Sequence, residues 1–132
     1  MPTIYVSRNG NSHQLRLRDS LGDDPGNDDL TTNVSAGDTV TWQLDPRAGD
    51  PEYPAYKPID SITAVQKADA SLTKYQGSEQ LLTATPVCNN SVCTGTVVSP
   101  SPGKGKFENY KIGFTVPGDA TVYWDDPKLN MN

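Results

Sequence analysis

The densest chemistry in this chain is an acidic run, Asp23-Asp24-Pro25-Gly26-Asn27-Asp28-Asp29. Four carboxylates and an amide around a glycine turn are the oxygen donors that a hard cation such as calcium takes from a loop. The candidate ligands are Asp23, Asp24, Asn27, Asp28 and Asp29, and the spacing is not that of an EF-hand. Asp45, Asp50, Asp125 and Asp126 could join them only if the loops gather at one end of the fold. The competing reading, which the sequence favours, is a solvated loop whose charge keeps a neighbouring sheet edge from pairing with other chains.

Other reactive side chains are sparse. The single histidine, His13, has no nucleophile motif beside it, and Gly103-Lys104-Gly105-Lys106 is too short to cradle a phosphate. No catalytic constellation is expected. Cys88 and Cys93 flank four residues, Asn89-Asn90-Ser91-Val92, a spacing that suits a disulfide across the tip of a hairpin. In a reducing cytosol the pair would remain thiols, and a metal site would lack two further ligands. Tyr53 and Tyr56 lie between Asp45 and Pro58, a window with four prolines that forbid a helix or a central strand. They are the candidate ligand or partner surface, packing against the body of the protein being the alternative. Trp42 and Trp124 are expected in the core.

Short alternating runs bounded by turn residues must position these groups. Thr3 to Ser7 and His13 to Arg18 flank an Asn9-Gly10 turn. Leu30 to Val34 and Thr39 to Leu44 flank Ala36-Gly37-Asp38 as an expected hairpin with Val40, Trp42 and Leu44 on one face. Ile59 to Val65, Leu81-Leu82 and Val92 to Val98 continue the pattern. Tyr110, Ile112, Phe114 and Val116 alternate cleanly, then Val122 and Trp124, then Leu129 and Met131. The pattern predicts one all-β domain over residues 1–132, an antiparallel two-sheet sandwich of immunoglobulin-like Greek-key type. A small closed barrel is the second choice.

Gly37-Asp38-Thr39-Val40-Thr41-Trp42, within residues 30–44, resembles the hairpin common in cupredoxins. Residues 107–124 resemble the closing strands of that family, and together the two stretches cover about a third of the chain. The resemblance implies a cupredoxin-like sandwich. It does not bring copper, because Gln43-Leu44-Asp45-Pro46-Arg47 offers no histidine where the family has its first ligand. Tyr123-Trp124-Asp125-Asp126-Pro127 likewise has neither cysteine nor histidine, although Met131 follows. The chain is also similar to small uncharacterised bacterial proteins with a comparable Asp-Pro-Lys strand, which implies no activity.

Eleven Lys+Arg against sixteen Asp+Glu give a net charge of -5, which disfavours a nucleic-acid partner. No apolar run approaches the roughly 18 to 20 residues that cross a bilayer. Met1-Pro2-Thr3-Ile4-Tyr5-Val6 leads straight into a strand, so a cytoplasmic protein is expected; a secreted one whose leader has been removed is the alternative. Function is expected to be a non-catalytic protein-interaction or self-assembly module, a protein partner or homo-oligomer meeting the terminal strands Thr3 to Ser7 and Lys128 to Met131 at sheet edges. The alternative is a calcium-assisted carbohydrate or small-ligand binder that uses the acidic and tyrosine loops.

Overall fold

The structure, a computed structural model, describes residues 1–69 and 72–132. Its strands are β1 (Thr3–Asn9), β2 (Leu15–Asp19), β3 (Thr31–Val34), β4 (Thr39–Leu44), β5 (Tyr56–Lys57), β6 (Ser61–Lys67), β7 (Val87–Asn89), β8 (Val92–Thr96), β9 (Phe107–Val116), β10 (Asp119–Asp125) and β11 (Lys128–Met131). One sheet runs β2-β1-β4-β8-β7, with β5 added at the end of β1. The other runs β10-β9-β11-β3, with β6 also paired to β9. The two sheets share a core that includes Ile4, Leu17, Val40, Trp42, Ile112, Phe114 and Leu129. Across it the Trp42 indole N–H donates to the Tyr110 hydroxyl at 3.1 Å, the rings meeting edge to face.

The all-β expectation holds, but the sheets are mixed and not antiparallel throughout. β1 runs parallel to β4, and β3 runs parallel to β11. The expected hairpin over residues 30–44 is absent, since β3 and β4 belong to different sheets. Val34 and Val40 on either side of the turn are both fully buried, so the chain crosses the core here and does not fold back in one plane. The turn itself is tied to the β8 side: Gly37 N–H donates to the Val97 carbonyl, and Val97 N–H donates to the Asp38 carbonyl.

Two further expectations fail on facing. Leu44 is 40% exposed, because the end of β4 runs past the core. Val122 and Trp124 do share a face, but it is the outer one. The inward parity of β10 goes to Tyr123, which packs on Phe114, and to the buried Asp125. The terminal strands are not sheet edges either: β1 lies between β2 and β4, and β11 lies between β9 and β3.

Candidate functional site

The acidic loop follows β2 and closes its free edge. Leu17 N–H donates to the Asn27 carbonyl and Asp19 N–H to the Asp23 carbonyl, each at 3.0 Å. Leu15 N–H donates to Asp125 Oδ2 at 2.6 Å. Three successive edge donors of β2 are thereby satisfied within the chain, which removes the template for strand addition there. This is the job that the solvated-loop reading assigned to the loop, done by its backbone and by one distant carboxylate.

The five candidate calcium ligands do not converge. Asp24 accepts from the Tyr56 hydroxyl at 2.5 Å and lies 3.7 Å from the Arg16 guanidinium. Asn27 Oδ1 accepts from Asp29 N–H at 2.8 Å, which makes a local turn. Asp23 sits beside Asp19, and that carboxyl contact, with burial, raises its pKa. Asp19 is itself committed, to the Leu21 and Asp23 amides and the Thr32 hydroxyl. Asp28 faces Asp125; burial first, then the Asp28 and Asp126 carboxylates, push Asp125 up to about 7. Asp45 holds Arg18 through two hydrogen bonds of 2.7 and 2.9 Å, and Asp50 Oδ1 accepts from Glu52 N–H. Among the described residues no three carboxylate, imidazole or thiolate groups meet as a metal-ligand cluster.

The tyrosine loop is packed, not displayed. Tyr56 is buried and Tyr53 half-buried, their rings edge to face at 5.9 Å. The Arg16 guanidinium lies 4.6 Å from the Tyr56 ring centre, and that of Arg47 lies 4.6 Å from the Tyr53 ring centre. Arg47 also donates to the Tyr56 hydroxyl at 3.2 Å. Alternating cations and rings staple the proline-rich loop onto the outside of the first sheet, the arginine stems covering the aromatic faces. The sequence hides this because Arg16, Arg47 and Tyr56 meet only after β2 and β5 have both paired with β1.

Cys88 and Cys93 are joined by a disulfide, directly opposite each other in the β7–β8 pair. Asn90 and Ser91 between the strands have φ of 51° and 62°, the two left-handed positions of a two-residue hairpin turn. The tip does not float, since the Ser91 hydroxyl accepts from Ile62 N–H on β6 at 3.1 Å. His13 is exposed and stacks flat on Tyr123 with ring centres 4.3 Å apart.

Sequence reasoning missed the outer face of β6, β9 and β10. Trp124 stands directly opposite Gly113 in the β9–β10 pair, and a β-carbon there would lie 2.8 Å from the indole. The ring therefore rests on the strand backbone, with the Lys111 ammonium 4.7 Å from its centre. Trp124 remains 42% exposed and Val122 beside it 40% exposed. The signal was present in Gly113, which leaves a gap between Lys111 and Thr115 on the outward parity of this strand. A strand glycine marks a close approach of this kind. No helix among the described residues is long and apolar enough to cross a membrane. The chain matches no protein-family model and no curated protein.

Proposed function

We propose that this chain is a non-catalytic self-assembly module, in which two copies stack the outer faces of β6, β9 and β10 against each other. The observation that carries the reading is Trp124: an indole seated on Gly113 and left 42% exposed beside a similarly exposed Val122. Aromatic anchors set in an apolar patch with a polar surround are what protein interfaces use as their energetic centre. The charge pattern suits a second copy as the occupant. Lys111 lies before Gly113 on β9, while the exposed Asp60 bonds through its N–H to the Thr115 carbonyl beyond it. A two-fold axis at Trp124 brings Lys111 of each copy toward Asp60 of the other, as an isologous interface requires.

Edge-to-edge pairing through the terminal strands loses its support, because β1 and β11 are interior strands. Calcium-assisted ligand binding is the second reading; against it, Asp24 is engaged by Arg16 and Tyr56 and Asn27 by the Asp29 amide. The Cys88–Cys93 bond favours an oxidising compartment over the cytosol.

The test is solution mass by light scattering over a range of concentrations. A concentration-dependent rise toward twice 14.3 kDa is expected. Lys111→Glu should weaken it, and Asp60→Lys added to that variant should restore it. A mass of 14.3 kDa at every concentration up to about 1 mM sinks self-assembly.

A further inference from the structure

From Gln80 to Gly103 the sequence carries no Asp, Glu, Lys or Arg, in a chain of which 20% is charged. This stretch forms β7, β8 and the approach to them, and it pairs with β4, itself uncharged from Thr39 to Leu44. Val40, Trp42, Cys93 and Val97 fill the inward positions. Threonine takes the outward positions at one end of the face. Thr3 on β1 stands beside Thr41, Thr41 opposite Thr94, and Thr94 opposite the 72% exposed Val87. In the next row Thr39 stands opposite Thr96, and on the far side of Thr96 the Thr83 N–H donates to its carbonyl at 2.9 Å. Two parallel rows result, six threonines and one valine on the outside of the first sheet. Among the described residues none of these six hydroxyls is engaged by another group, so all are left to water. Neighbours within a row are about 4.8 Å apart, the strand spacing, and the rows are about 6.8 Å apart, two residues of strand.

We propose that this face binds ice. The oxygen atoms on the prism face of ice repeat at nearly these two distances. Threonine suits such a lattice because its χ1 is stiff, so the backbone fixes both the hydroxyl and the methyl. The hydroxyl can donate to and accept from lattice water, while the methyl excludes liquid water. A charged group would hold a hydration shell that fits no lattice, and the charges stand only at the border. They are the Met1 ammonium beside Asp38 at one end, and Arg18 over the Tyr5 ring toward β2. The Cys88–Cys93 bond fixes β7 against β8 next to Thr94. A neutral polysaccharide would tolerate an uncharged face too, but it is held by stacking on aromatic rings, and neither row has one. The twist of the sheet limits the match to a small patch, so a weak effect on ice growth is expected. Trp124 lies on the other sheet, so this inference goes beyond the self-assembly reading and does not depend on it.

A single ice crystal held on a cold stage in a millimolar solution of the protein tests this. The crystal should grow faceted, and its freezing point should fall some tenths of a degree below its melting point. Thr94→Lys puts a charge in the middle of the first row and should remove at least half of that gap and the facets. Thr83→Lys, on the exposed segment before β7, should do the same, so the test survives if Thr94→Lys does not fold. Lys111→Glu, on the opposite sheet, should leave ice growth unchanged even where it weakens self-association, which separates the two readings. Round, unfaceted crystals with the unaltered protein, or equal gaps in the unaltered protein and a folded threonine variant, overturn the proposal. So does unfaceted growth together with co-sedimentation on chitin or cellulose, which would give the face to a polysaccharide.

Discussion

The Trp124 indole lies against the backbone of Gly113, in the space where any other residue of β9 would carry its side chain. A β-carbon at Gly113 would also lie 2.7 Å from Thr63 Oγ1, so the position is closed from both neighbouring strands. Gly113→Ala should therefore destabilise the fold by about 1–3 kcal/mol, as overpacking does. It should also lift the indole off the sheet. Urea unfolding measures the first effect and a red shift of the exposed-tryptophan emission the second. An unshifted midpoint and spectrum would mean that the ring does not sit where the structure has it.

Tyr110 is fully buried and supplies the acceptor for the Trp42 indole N–H. Tyr110→Phe preserves the shape and leaves that donor unsatisfied, which should cost about 1–3 kcal/mol. Trp42→Phe on the Tyr110→Phe background should cost less than the two separate changes added together, because the remaining polar group goes with it. Chemical denaturation of the four proteins in the cycle reads the coupling.

Asp125 gives the stability of this protein a slope with pH. Its carboxyl goes from an ordinary 3.8 to about 7 on folding, so between those values the folded state holds a proton that the unfolded chain has lost. Stability from this group is full below about pH 4 and is lost as pH rises through 7. A shift of about three units corresponds to at most about 4 kcal/mol. The groups that face it are Asp28 from the acidic loop and Asp126 on its own strand end, while the buried oxygen accepts from Leu15 N–H. Asp125→Asn keeps that acceptor and should flatten the fall between pH 4 and 7 in thermal melts. An unchanged pH profile would assign the slope elsewhere.

Reduction of the Cys88–Cys93 bond should lower stability by no more than about 2 kcal/mol, since the closed loop is short. The hairpin is also held by the Asn90 and Ser91 turn and by the bond from Ile62 N–H to Ser91. Double replacement by serine should give a folded protein with a lower urea midpoint. Complete unfolding on reduction would show that the disulfide, and not the turn, sets the β7–β8 register.

Added calcium and EDTA should leave the melting temperature unchanged. Asp24 is engaged with Arg16 and Tyr56, Asp28 faces Asp125, and Asp23 faces Asp19. A rise of several degrees with calcium would mean that the loop rearranges to gather these carboxylates.

Local alternation was enough to read most of the strands. Ile4 with Val6, Leu15 with Leu17, Val40 with Trp42, and Tyr110 through Val116 all bury the face that the period of two implies. The Cys88–Cys93 spacing is short enough that the turn alone brings the sulfurs together. Partners distant in sequence defeated the reading elsewhere. Whether the turn at 35–38 folds back or crosses the core depends on β11 and β8, which claim β3 and β4 separately. The face that Trp124 takes depends on Gly113 across the strand pair. Tyr56 is buried among Arg16 on β2, Arg47, Tyr53 and Asp24, which are brought together from separate stretches of the chain. Glu108 precedes the alternation that begins at Tyr110, and its burial depends on the distant amides of Leu81 and Leu82.

The parallel pairing of β3 with β11 has a kinetic consequence. Thr31 pairs with Lys128, so a strand made early in synthesis must wait for one made 97 residues later. Until then the inward face of β3, with Val34, has no neighbour in its own sheet. Long-range closure of this kind slows folding, because the chain between must be ordered before the contact can form. The first sheet can assemble sooner, from β1, β2 and β4 near the start of the sequence. The nascent protein should therefore pass through a half-built stage with one sheet formed and its apolar side uncovered, a stage that a chaperone or a stalled ribosome would encounter.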